Sequence, residues 1–97
     1  MLEMRTNFQM VKDLDIKLTP LHRGILTGTE VEMIKEELCL EKMDILQLRN
    51  LRDFTVLYFS AKRSDSDDVK QLMYNADKLS GITSVIDTQL IALGYLP

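Results

Sequence analysis

From residue 69 onward the apolar side chains recur at alternating spacings of three and four. Val69, Leu72, Ala76, Leu79, Thr83, Ile86, Leu90 and Leu93 make one continuous seam. A period near 3.5 cannot be satisfied by a strand, whose side chains alternate every second residue, so this stretch must be helical. Ser64 to Asp67 supplies a capping pattern before it, with acidic groups suited to the positive end of a helix dipole. Gly81 costs the interior about 1 kcal/mol relative to alanine, and Gly94 is placed to end the helix. Some 26 residues of helix span about 39 Å, and Ile82 and Val85 widen the apolar stripe beyond the seam. That is more surface than a short helical unit covers. The pattern predicts a homodimer joined through Leu72, Leu79, Ile86, Leu90 and Leu93, the alternative being that the N-terminal arm folds back over the seam.

The 97 residues allow one domain with one core. It reads in three parts: an arm at 1–25, a helical core at 26–63 and the long helix at 64–97. In the arm, Leu14, Ile16 and Leu18 alternate with charged residues before Pro20, which suits a short strand or an extended segment. Thr27 and Glu30 form a capping box, so a helix begins near Gly28. Val31, Ile34 and Leu38 mark its inner face, Glu32, Lys35, Glu36 and Glu37 its outer one, and it ends near Cys39 with Leu40 under the following turn. Residues 42 to 63 admit two readings. They are one long helix with the stripe Ile45, Leu48, Leu51, Phe54, Tyr58 and Ala61, or two short helices broken near Asn50.

Composition narrows the function. The chain is 45% hydrophobic and 28% charged with a net charge of −3, a globular balance without the bias of disordered or fibrous chains. The longest apolar run is far short of the roughly 20 residues of a membrane span. A lone cysteine, Cys39, cannot make an internal disulfide, so a cytoplasmic protein is expected. Only residues 41 to 63 carry more basic than acidic side chains. No chemistry of an enzyme is legible: His22 has no partner for a zinc site or a nucleophile–base pair, and Cys39 reads as core packing. Asp65, Asp67 and Asp68 lack the glycine and distal glutamate of a calcium loop. No cofactor, no metal and no catalytic residue is implied.

The blocks L-T-G-T-E-V-E-M-I-K-E-E-L-C-L at 26–40, T-V-L-Y-F at 55–59, D-D-V-K-Q-L-M at 67–73 and S-V-I-D-T-Q-L at 84–90 resemble lambda-repressor-like, XRE-type helix-turn-helix proteins. The likeness is to the branch that includes YdiL-like proteins and anti-CRISPR-associated autorepressors, and it covers residues 26 to 94. It implies an all-α fold in which a helix-turn-helix three-helix core precedes the long C-terminal helix. Residues 42–49 and 53–61 would be separate helices, turning at Asn50 where the family usually has glycine. It further implies a dimeric transcriptional repressor of phage or mobile-element type, bound to double-stranded DNA at a two-fold operator. Lys42 and Arg49 would contact phosphate, Arg52 and Thr55 would face the major groove, and Lys62 and Arg63 would touch the flanking backbone.

The same segment departs from that pattern. Phe54, Leu57 and Tyr58 occupy positions expected to face DNA, whereas base edges are read mainly by arginine, lysine, asparagine and glutamine. With the acidic total, this motivates an alternative: a protein-interaction module, an inhibitor or antagonist, that contacts its partner through Phe54, Leu57 and Tyr58 on the helix at 53–61.

Overall fold

The computed structural model describes residues 5–18, 26–64 and 68–95, with the side chains of Arg63 and Ser64 excepted. The expectations placed on His22, Pro20, Gly24, Asp65 and Asp67 lie outside the described residues, as does the side-chain role of Arg63. The fold is all-α. Among the described residues four helices follow one another: α1 (Asn7–Lys17), α2 (Gly28–Glu37), α3 (Ile45–Ser64) and α4 (Val69–Ala92), with a 3-10 turn at Leu40–Lys42 between α2 and α3.

Local chemistry starts each helix. Thr6 with Gln9 and Thr27 with Glu30 form reciprocal capping boxes at α1 and α2. Asp44 with Gln47 does the same at α3, with bonds of 2.8 and 2.9 Å. The cap of α4 is Asp68, which accepts from the Lys70 amide, one residue beyond the Ser64–Asp67 pattern. At the far end of α4, Gly94 takes φ 89°. The Tyr95 amide reaches the Leu90 carbonyl and the Gly94 amide the Ile91 carbonyl, a Schellman arrangement that satisfies the last carbonyls.

The N-terminal stretch, where the alternation suits a strand or an extended arm, is a helix. Met10, Val11, Leu14 and Leu18 are buried while Ile16 is 74% exposed. The spacing that governs is therefore three and four, and Ile16 falls off the stripe. Residues 45–64 take the first of their two readings, one unbroken helix through Asn50, which is exposed. Leu48, Leu51, Thr55 and Phe59 keep one buried face in register along it. A reversal at Asn50 would divide that face, and asparagine lacks glycine's freedom to force one. The two short helices with a turn at Asn50 do not form.

α3 lies antiparallel to α4, as Arg52 bonds Asp87 and Arg49 stacks on Tyr95, and this pair is the widest interface in the molecule. α1 crosses one edge of α3 and α2 packs near α4. The core comprises Val11, Leu14, Ile34, Leu38, Leu40, Leu48, Leu51, Ile82, Ile86 and Leu90, all 0 or 1% exposed. Ile86 and Leu90 therefore cannot form a dimer seam. Leu72 and Leu79 are half-buried beside α3, and of the five predicted seam residues only Leu93, 44% exposed, faces outward. The inner part of the seam is covered within the monomer, while Val69 and Leu93 at its ends stay exposed; α3 reaches along it because α3 is twice the length the two-helix reading allows.

Candidate functional site

The net-positive middle segment places its cations in unlike surroundings. Arg52 donates from Nε to Asp87 at 2.7 Å, joining α3 to α4. This hydrogen bond, reinforced by the carboxylate's charge against the cost of burial, raises the guanidinium above its ordinary pKa. Lys62 donates to Asp15 at 2.5 Å. Thr55 is fully buried, its hydroxyl donating to the Leu51 carbonyl one turn back at 2.7 Å, so it cannot face a groove in DNA. Lys42 and Arg49 are exposed, and Arg49 lies over the Tyr95 ring at 5.3 Å. The predicted DNA contacts Lys42, Arg49, Arg52, Thr55 and Lys62 are thus not brought together on one positive face.

Asp15, 6% exposed, is the hub that takes up these charges. It accepts from Lys62, from Lys78 Nζ at 3.0 Å and from the Tyr58 hydroxyl at 3.1 Å, and Lys78 also donates to the Asp15 carbonyl at 2.9 Å. That carbonyl is one of the orphans in the last turn of α1, so Lys78 both pairs and caps. Burial pushes the Asp15 carboxyl up, but the hydrogen bonds and charges of Lys62 and Lys78 outweigh it and hold the group below its ordinary pKa. Burial, then the charge and hydrogen bond of Asp15, push the Tyr58 hydroxyl up to about 12. Sequence reasoning missed this cluster, although a signal existed: Asp15 stands on the Val11, Leu14, Leu18 stripe and Lys78 on the Ile82, Val85 stripe. An ionisable residue on an apolar stripe calls for a buried partner.

A second knot fixes α2. Glu37 accepts from Lys17 and, at 3.2 Å, from Arg5, while Arg5 also donates to the Glu37 backbone carbonyl at 2.9 Å. The Lys17 bond holds the Glu37 carboxyl below its ordinary value, opposed by burial and aided by Arg5.

The apolar residues set aside as protein contacts divide. Phe54 and Tyr58 are half-buried and pack edge-on against Phe8 of α1, at centroid separations of 6.5 and 6.1 Å. They hold α1 in place. Leu57 is 68% exposed, and one further residue, Leu46, is 64% exposed. Together with Arg49, Asn50 and Asp53, which are also exposed, they line the side of α3 opposite its buried stripe, at helical spacings of three and four. Neither Arg49 nor Asp53 has an ion-pair partner among the described residues. Cys39, expected in the core, is exposed in the left-handed region at φ 52°, where it turns the chain out of α2. Among the described residues no group of three His, Cys, Asp or Glu side chains could hold a metal ion, and no helix is long and apolar enough to cross a membrane.

No family model matches this sequence, and neither a curated protein nor a solved structure matches it.

Proposed function

We propose that this chain is a protein-interaction module of the cytoplasm that holds another polypeptide against the outer face of α3. One observation carries the reading. The helix that bears most of the net-positive segment uses Arg52 and Lys62 internally on Asp87 and Asp15, yet leaves Leu46 and Leu57 about two-thirds exposed on the opposite side. Two exposed leucines with an arginine, an asparagine and an aspartate between them offer a partner both apolar contacts and charged and hydrogen-bonding groups. The contact residues are Leu46 and Leu57 rather than the expected trio, since Phe54 and Tyr58 serve α1. The test is a photo-crosslinkable residue at position 57, with the exposed position 29 on α2 as control. Defined adducts from 57 and none from 29 support the reading, and equal adducts from both positions refute it.

A helix-turn-helix repressor of the resembled type, dimeric on a two-fold operator, is the second reading. It is favoured by Lys42 and Arg49, which are exposed and have no carboxylate partner among the described residues, although Arg49 lies over the Tyr95 ring. It requires selection of a particular duplex from a random-sequence pool, with affinity falling steeply as salt rises. Failure to select any duplex at low salt would remove it.

A further inference from the structure

The outer stripe of α3 is self-complementary, and we infer that the polypeptide it binds is a second copy of this chain, paired antiparallel through α3 about a two-fold axis. This rests on the reading of that face as a protein-binding surface and names its occupant. The stripe runs Leu46, Arg49, Asn50, Asp53, Leu57. At 1.5 Å of rise per residue, Leu46 and Leu57 stand about 16 Å apart along the helix, and Arg49 and Asp53 about 6 Å apart. When an identical helix is laid across it antiparallel, with the axis midway between Asn50 and Asp53, each Leu46 falls opposite the other copy's Leu57. Each Asn50 is level with the other copy's Asp53, and each Arg49 lies within about 2 Å of that level along the axis.

The two-fold operation thus brings each leucine and each charge on the stripe opposite a complementary group twice over. Two leucine contacts lie at the ends and two arginine–aspartate pairs at the centre, made from charges that have no ion-pair partner among the described residues, Arg49 leaving its place over the Tyr95 ring to reach across. A closed isologous pair of this kind repeats the same patch on both partners. One helix pair of this length is at the low end of interface sizes, below about 1,200 Å² in total, so the dimer is weak and exchanging. The seam residues Ile86 and Leu90 of α4 are buried in the monomer and take no part.

Sedimentation equilibrium across a wide concentration range tests the pairing, combined with charge reversal. Wild type is expected to shift from monomer to dimer as concentration rises. Arg49→Asp and Asp53→Arg each place like charges face to face twice, and are expected to weaken association by about 10-fold or more. The double variant exchanges the charges and is expected to restore the constant to within about 3-fold of wild type. Leu57→Asp should abolish dimerisation with the helical circular dichroism unchanged, since its side chain is mostly outside the monomer. A protein that stays monomeric at every concentration overturns the inference, as does a dimer indifferent to Arg49 and Asp53. A monomer that still gives a defined foreign adduct from position 57 would overturn the self-pairing alone and leave the protein-binding reading standing.

Discussion

Replacing Asp15 with asparagine removes a negative charge that two lysines share, while leaving the shape of the side chain almost intact. Lys78 has a side chain 10% exposed and cannot move its ammonium into water without disturbing the packing around it. Lys62 is 35% exposed and can, so its share of the loss is discounted for solvent screening. Removing one partner of a buried ion pair costs about 3–5 kcal/mol because the remaining charge is stranded. Lys78 keeps its 2.9 Å bond to the Asp15 carbonyl, which points to the lower end, about 3 kcal/mol. Against a total stability of about 5–15 kcal/mol for a domain of this size, that is a large fraction. The midpoint of thermal unfolding should fall by about 12–24 °C, at 4–8 °C per kcal/mol. Urea unfolding followed by far-ultraviolet circular dichroism gives the free energy, and the same measurement on Lys78→Met and on the double variant closes a cycle. The lysine replacement should cost less in the Asp15→Asn background than alone, since it then removes a stranded charge. A loss below about 1 kcal/mol for Asp15→Asn, or strict additivity in the cycle, would refute the claim that this carboxylate holds three helices together.

The remaining expectations concern acid, the core and the turn after α2. Asp15 and Glu37 both have carboxyl groups held below their ordinary values. Their contribution is complete above the unfolded values of about 3.9 and 4.3 and is lost as pH falls through the lower folded ones. The unfolding temperature should therefore change little between about pH 7 and 5 on their account and drop below about pH 4, with a shallower drop in Asp15→Asn. Leu51→Ala, at a position fully buried between α3 and its neighbours, should cost about 2–5 kcal/mol in urea unfolding. Cys39→Gly should raise stability by up to about 1 kcal/mol by relieving the left-handed conformation at φ 52°, and a fall in the unfolding temperature would contradict this.

Much of the local structure was legible in the order of residues. Thr27 with Glu30 announces the start of α2, Gly94 the end of α4, and the three-and-four spacing from Val69 the longest helix, because caps and amphipathic faces act over a few neighbouring positions. Which apolar face meets which lies outside that range. The seam of α4 has the same spacing whether it covers a second chain or α3, and only the uninterrupted length of α3 decides for α3. Residues 42 to 63 carry an apolar stripe under either of their two readings, and it is packing of Leu48, Leu51 and Phe59 along one face that makes the helix continuous. Composition counts Lys62 and Arg52 as cations available to a phosphate. Tertiary structure spends them on Asp15 and Asp87, residues 47 and 35 positions away, because a charge brought near a forming core must find its opposite or remain in water. The sequence alone determined that this chain is helical and where most of its helices begin. Which cations of its middle helix are tied inward and which stay outside beside the leucines was decided by contacts that no local pattern records.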